Sequence, residues 1–165
     1  MNHFEHPGEL TEASVKAINL LHDAGVIMTN QTPMLRGVND KPGILKELFE
    51  KLSFIGVPPY YLFQCRPAAG NKMYSVPIEK AYDIFNEARN KVSGLAARAK
   101  YVMSHATGKI GILGKTKTHI IFRYHRAAKQ KDQGKLMVFK RNRDAYWFDD
   151  YLKQDNKHEY TKNLF

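Results

Sequence analysis

The sequence predicts an α/β fold in which repeated βα units build a parallel sheet and an antiparallel β-hairpin follows them. Three observations predict it. Segments with helical apolar spacing alternate with short β-rich runs as far as residue 113, and a polar loop follows each run. After Lys109 the pattern changes to two β-rich runs joined by a polar turn. Alternating elements of the first kind favour a parallel sheet, whereas strands joined by a short polar segment pair antiparallel.

The elements follow in order. His3-Phe-Glu-His-Pro7 reads as the end of a strand running into a polar loop. Thr11 is placed to cap a helix with Glu12 in its first turn, where the helix dipole favours an acid. Val15, Ile18, Leu21 and Ala24 continue that helix and Gly25 stops it. Val26-Ile-Met-Thr29 predicts a short buried strand, and Asn30 to Asp40 a polar loop rich in side-chain amides. Asp40 is placed to cap a second helix with Pro42 in its first turn. Ile44, Leu45, Leu48, Phe49 and Leu52 give that helix its apolar face, and Gly56 ends it.

Pro58 to Cys65 predicts the next strand, with a loop from Arg66 to Met73. A third helix is expected from Ile78 to Val92, broken by Ser93-Gly94, before a strand that begins at Tyr101. Thr118 to His125 and Leu136 to Lys140 form the expected hairpin, with a polar turn from Ala127 to Lys135. Asp144 to Tyr151 is aromatic and acidic and is expected to pack over the hairpin or a barrel end. The tail from Lys153 to Phe165 is polar and expected to fray.

The composition narrows the function classes. The 165 residues suffice for one domain, and a 43% hydrophobic fraction allows a packed core. The single cysteine, Cys65, excludes an internal disulfide and any zinc or iron–sulfur site built from this chain's own thiolates. It suits a reducing compartment, so a cytoplasmic location is expected. No apolar run has the length of a membrane span, and the first residues lack a signal peptide's apolar core. The net charge of +10 invites a nucleic-acid reading, yet the sequence has no zinc-finger spacing, helix-turn-helix or RNP pattern. No nucleic-acid or membrane partner is expected. The charge suits a solvated surface or anionic small ligands.

In parallel sheets of βα units, ligands gather at the carboxyl ends of the strands. His3, Gln31, Arg66 and the segment from Ser104 to Lys109 all fall at such ends. Thr107-Gly108 allows a tight backbone path that holds the Lys109 amine near a strand end. A lysine whose charge is suppressed by burial can form a Schiff base with an aldehyde cofactor. Taken by itself, Lys109 can equally be a solvated turn lysine.

An ordered set of motifs resembles the C-terminal part of the lysine 2,3-aminomutase family. These are His3-Phe-Glu-His-Pro7, Asn30-Gln31, Leu35-Arg-Gly-Val-Asn-Asp40, Pro59-Tyr-Tyr-Leu-Phe-Gln-Cys65, Val76-Pro77, Ser93-Gly94 and Gly108-Lys109. The resemblance covers roughly residues 2 to 113. It implies the second half of a partial (βα) TIM-like barrel of the radical S-adenosylmethionine (SAM) class. The family also uses pyridoxal phosphate (PLP) and a four-iron, four-sulfur (4Fe-4S) cluster. The implied activity moves an amino group between adjacent carbons of an amino-acid substrate.

By the same resemblance, Lys109 matches the catalytic lysine that binds PLP covalently, and His3 and Gln31 match positions that contact SAM. In lysine-specific members two aspartates hold the substrate's distal ammonium, and Arg66 and Ser104 stand at those positions here. An arginine beside an ammonium is repulsive, so free lysine is not the expected substrate. Arg66 is expected to face an anionic or neutral polar group of the substrate, or else to pair with a protein acid such as Glu79.

The family's C-x-x-x-C-x-x-C cluster motif is absent from the sequence, so no metal ligand is assigned. The organisation expected is thus C-terminal βα units of the barrel over 1–113, a hairpin with its aromatic extension over 114–152, and a polar tail over 153–165. The chain is expected to be a fragment, inactive without the N-terminal half of the barrel, and a homo-oligomer is possible for the complete enzyme. The alternative is a non-catalytic half-barrel that binds partners or anionic ligands. A protein-bound lysine as substrate is disfavoured by Arg66 and Ser104.

Overall fold

The computed structural model describes residues 1–154. Four α-helices and six strands follow one another along them: α1 (Glu12–Asp23), β1 (Asn30–Met34), α2 (Pro42–Phe54), β2 (Pro59–Gln64), α3 (Ile78–Arg89), β3 (Lys100–His105), β4 (Gly108–Lys115), β5 (His119–Ala127), β6 (Leu136–Lys140) and α4 (Phe148–Gln154). The strands form one open sheet in sequential order. β1, β2 and β3 are parallel, each joined to the next by a helix, and β3 to β6 are antiparallel. The expected α/β class and the β5–β6 hairpin are therefore present.

α1 starts as its sequence dictates, with the Thr11 hydroxyl accepting the Ser14 N–H at 3.3 Å. A cap of this kind contributes about 1 kcal/mol. α2 lies between two cores. Leu45 and Phe49 turn toward the sheet, while Leu48 and Leu52 meet Ile18 of α1, Met28 and Val57. All four α2 side chains are fully buried, and each contributes about 1.5–3 kcal/mol. α3 adds Ile78, Ala81, Ile84, Phe85 and Ala88 to the main core. α4 sets Phe148 and Tyr151 against Phe122 of β5 and Phe139 of β6, with ring centroids 5.1–5.9 Å apart.

Several expectations are corrected. The strand expected at Val26–Thr29 is displaced onto Asn30–Met34, and Ile27 is 94% exposed. Asp40 does not cap α2. Its carboxylate accepts the Gly37 N–H instead, and Lys41 occupies the cap position without a side-chain bond. α3 ends at Arg89 rather than Val92. The segment around His3 touches the sheet through one parallel bridge, Asn2 to Asn30. Lys109 lies inside β4 rather than in a turn, because only Ala106 and Thr107 separate β3 from β4. So short a link permits an antiparallel pair and no crossover. Of the expected polar tail, Lys153 and Gln154 belong to α4, and the remainder lies outside the described residues.

Candidate functional site

Successive strand residues point to opposite sides of a sheet. Leu62, Tyr101, Met103, Ile110, Ile112 and Phe122 enter the core beneath the helices. The alternate positions, among them Gln31, Tyr61, Phe63, Ser104 and Lys109, face the other side. Among the described residues no helix of the main core covers it, and the candidate site is built on this face.

His3 is brought to Gln31 by two buried asparagines. Asn30 accepts the Phe4 N–H at 2.9 Å and donates to the Phe4 carbonyl at 3.0 Å, and Thr32 donates to that carbonyl at 2.8 Å. Asn39 donates to the carbonyls of Glu5 and Pro33 and accepts from the Leu35 N–H. These bonds fix residues 2–5 along β1, and the Gln31 Nε2 then lies 2.7 Å from the His3 Nε2. Beside this pair, burial and the nearby Glu9 push the Glu5 carboxyl above its usual range.

Lys109 is set by the β3–β4 turn. Gly108 has φ 137°, and a Cβ there would run into the Arg126 carbonyl, so only glycine fits before the lysine. The Lys109 Nζ sits 4.2 Å from the ring centroid of Tyr61 and 5.2 Å from that of Phe63. Such contacts hold an ammonium with about 0.5–2 kcal/mol. A bulge in β2 leaves Tyr60 as an extra residue opposite β1 and brings its ring 4.1 Å from that of Tyr61. Burial, helped by Tyr60, pushes the Tyr61 phenol up to about 12. Tyr61 therefore stays a neutral phenol at ordinary pH.

Arg66 and Ser104 line one cleft of about 400 Å³, with His105, Trp147, Asp149 and Asp150 on its walls. Both acids are engaged. Asp150 accepts the N–H groups of Tyr146 and Trp147, and Asp149 lies 3.3 Å from the His105 Nε2. The His105 Nδ1 accepts the Thr107 N–H at 3.2 Å, which places the ring proton on Nε2, facing Asp149. Thr107 in turn accepts from Tyr124 at 2.8 Å. Glu79 is not the partner of Arg66. It is 3% exposed and binds Arg141 at 2.7 Å and the Asn142 N–H at 2.8 Å. Among the described residues no carboxylate lies within 4.0 Å of Arg66 or Lys109.

No protein-family model matches the chain. Over 151 residues, 92% of its length, the chain is 64% identical to an Aquifex aeolicus protein provisionally named L-lysine 2,3-aminomutase. Over 92 residues it is 46% identical to the L-lysine 2,3-aminomutase of Clostridium subterminale, and over 94 residues 35% identical to the glutamate 2,3-aminomutase of Clostridioides difficile. The chain belongs to the lysine 2,3-aminomutase family. It spans 40% of the Aquifex relative and 22% of each of the other two.

Set within this family, the residues present fit two of the three expected groups. A half-buried lysine with no carboxylate within 4.0 Å among the described residues can take an aldehyde cofactor such as PLP. The neighbouring imidazole and amide of His3 and Gln31 suit the polar groups of SAM. Cys65 is buried, and a single thiol does not fit a 4Fe-4S cluster. Among the described residues no three His, Cys, Asp or Glu side chains gather to hold a metal ion, and no helix is long and apolar enough to cross a membrane.

The structure brings Ser104 opposite Lys109 across the β3–β4 ladder and Ser104 beside Arg66 in the cleft, while His3 and Gln31 form their own pair on β1. Sequence reasoning placed His105 within the candidate segment and missed Tyr61, His125 and Asp149. Strand alternation around Lys109 would have singled out Tyr61, but the bulges that aim Tyr60 and His125 have no sequence signature.

Proposed function

We propose that this chain forms the C-terminal βα units of a radical SAM, PLP-dependent aminomutase whose substrate is an amino acid other than free lysine. In this reading the sheet is part of a TIM-like barrel. The remaining strands are supplied by a segment that pairs at the outer edge of β1, and the chain by itself is inactive. When bound, SAM and PLP supply the radical chemistry that moves an amino group to the adjacent carbon. Lys109 holds the aldehyde cofactor, and Tyr61 and Phe63 form an aromatic wall that keeps water from the amine. His3 and Gln31 bind the polar groups of SAM.

The observation that supports the substrate class is the charge of the cleft. Its two carboxylates are occupied within the protein, whereas Arg66 has no acidic partner among the described residues. A substrate side chain ending in a carboxylate would meet the arginine fork, and an ammonium would meet a like charge. Assayed on the complete enzyme, glutamate is expected to be turned over in preference to lysine. Arg66→Ala is expected to lower kcat/KM for glutamate about tenfold or more, since a charge-assisted hydrogen bond is worth about 1.5–3 kcal/mol. Preferential lysine turnover that the substitution leaves unchanged would overturn the reading.

A further inference from the structure

Three consecutive residues at the start of α4 close on one imidazole. The His105 ring stands 6.2 Å from the ring of Trp147 and 5.3 Å, edge-on, from that of Phe148, and its Nε2 lies 3.3 Å from Asp149. The His105 side chain is 6% exposed, whereas Asp149 stands half-exposed on the cleft wall. Asp150 steadies the start of α4 by accepting the N–H groups of Tyr146 and Trp147.

The other ring nitrogen serves the turn that leads to Lys109. His105 Nδ1 accepts the Thr107 N–H at 3.2 Å and lies 2.7 Å from the Thr107 hydroxyl. Tyr124 of β5 donates to that hydroxyl at 2.8 Å, which leaves the Thr107 hydroxyl proton to point at Nδ1. The Thr107 carbonyl accepts the Ala128 N–H at 2.8 Å. Thr107 is thus fixed through its N–H, its hydroxyl and its carbonyl, and only Gly108 separates it from Lys109. The turn matters to the lysine because the ladder is broken on the other side. Pairing of β4 with β5 passes from Lys109 opposite Arg126 directly to Ile110 opposite Tyr124, which leaves His125 as a bulged residue. A bulge disrupts the ladder locally, so the turn sets the direction of the Lys109 side chain.

Hydrogen bonds of one direction therefore run from Tyr124 through Thr107 and His105 to Asp149. We propose that His105 is a positioning residue that couples α4, the wall of the substrate cleft, to the placement of Lys109 over Tyr61. This role rests on the reading of Lys109 given above. Asp149 keeps the ring proton on Nε2 and so leaves Nδ1 as an acceptor. Without that partner the ring is free to take the other tautomer, in which Nδ1 carries the proton and releases the Thr107 N–H.

The test follows the full chain by NMR, with the Lys109 side-chain signals, moved upfield by the Tyr61 ring, as the readout of placement. His105→Gln keeps an amide donor near Nε2, removes the acceptor at Nδ1, and is expected to move those signals toward the values of an ordinary lysine. His105→Asn puts an oxygen near Nδ1 and is expected to bring them part of the way back. Asp149→Ala is expected to raise the share of the Nδ1–H tautomer in the imidazole nitrogen spectrum and to shift the Lys109 signals in the same direction as His105→Gln. The emission maximum of Trp147, the single tryptophan, is expected to hold in all three, since Phe148 and Tyr151 keep α4 docked. Lys109 signals that ignore His105→Gln, or that move only together with the Trp147 emission, would overturn the role.

A second arm separates the role from the reading beneath it by trapping pyridoxal phosphate on Lys109 with borohydride and locating the adduct by peptide mass spectrometry. His105→Gln is expected to slow trapping about tenfold and Asp149→Ala about threefold, while His119→Gln, at the far end of β5, leaves it unchanged. Equal trapping in the parent chain and all three variants would overturn the positioning role and leave Lys109 as the cofactor lysine. If Lys109 takes no adduct, the reading of Lys109 fails, and the Lys109 signals still decide whether His105 places it.

Discussion

On the helix-covered face the strands present Leu62, Tyr101, Met103, Ile110 and Phe122, whereas on the open face the same strands present Tyr61, Phe63, Ser104, Lys109 and Arg123. One face is apolar and close-packed, and its polar exceptions are satisfied inside the protein. Gln64, for example, donates to the carbonyls of Val76 and Tyr146 and accepts from the Tyr101 hydroxyl. The other face carries aromatic rings, amines and guanidinium groups with no strand acid to neutralise them. The period of two in a strand thus separates stability from chemistry. Substitutions on the two faces should therefore differ in kind as well as in size.

The largest expected difference comes from truncating one aromatic on each face. Phe122 is fully buried against Phe139, Phe148 and Tyr151, and Phe122→Ala is expected to cost about 3–5 kcal/mol. Tyr61 is only half-buried, and Tyr61→Ala is expected to cost about 1 kcal/mol while removing the ring beneath Lys109. Chemical denaturation of both variants measures the gap. Equal losses would mean that the open face is as much a core as the covered one.

Next in size is the ion pair that anchors the covering elements. Glu79 begins α3 and reaches Arg141 and the Asn142 N–H in the segment that leads from β6 to α4. Glu79→Gln keeps the shape, removes the charge, and is expected to cost about 1.5–3 kcal/mol. The loss should also loosen α4 and with it the Asp149 to His105 contact on the cleft wall. Hydrogen exchange across residues 142–154 would register that loosening, and unchanged protection there would detach the ion pair from the site.

The contrast between the faces also explains what was legible in the sequence. The covered face follows from burial alone, so the apolar spacing of α1, α2 and α3 and the strand at Pro59–Gln64 could be read directly. β1 could not. Its residues, Asn30-Gln-Thr-Pro-Met34, are poor strand formers held by side-chain bonds to Phe4, far off in sequence, and to Asn39. The β-branched run before it, Val26-Ile27, is the better strand former locally but stays exposed because no partner reaches it. Among the site residues, His3, Gln31, Arg66, Ser104 and Lys109 were named through motif order. Of the groups around them, His125 depends on a bulge and Asp149 on α4, which spacing does not encode.

The smallest expected effect lies at one residue of the open face. His125 titrates below its ordinary value in the folded protein because it is partly buried and faces Lys100, Arg123 and Lys109. As pH falls through the ordinary histidine range, the unfolded chain takes up its proton first, so folding stability declines there. The decline stops below the folded-state value, where both states are protonated. His125→Gln is expected to flatten that part of the Tm profile between about pH 5 and 7, the span in which histidine changes charge. A profile that His125→Gln leaves unchanged would show that the cations on this face do not act on the imidazole, and that the open face is less electropositive than its composition implies.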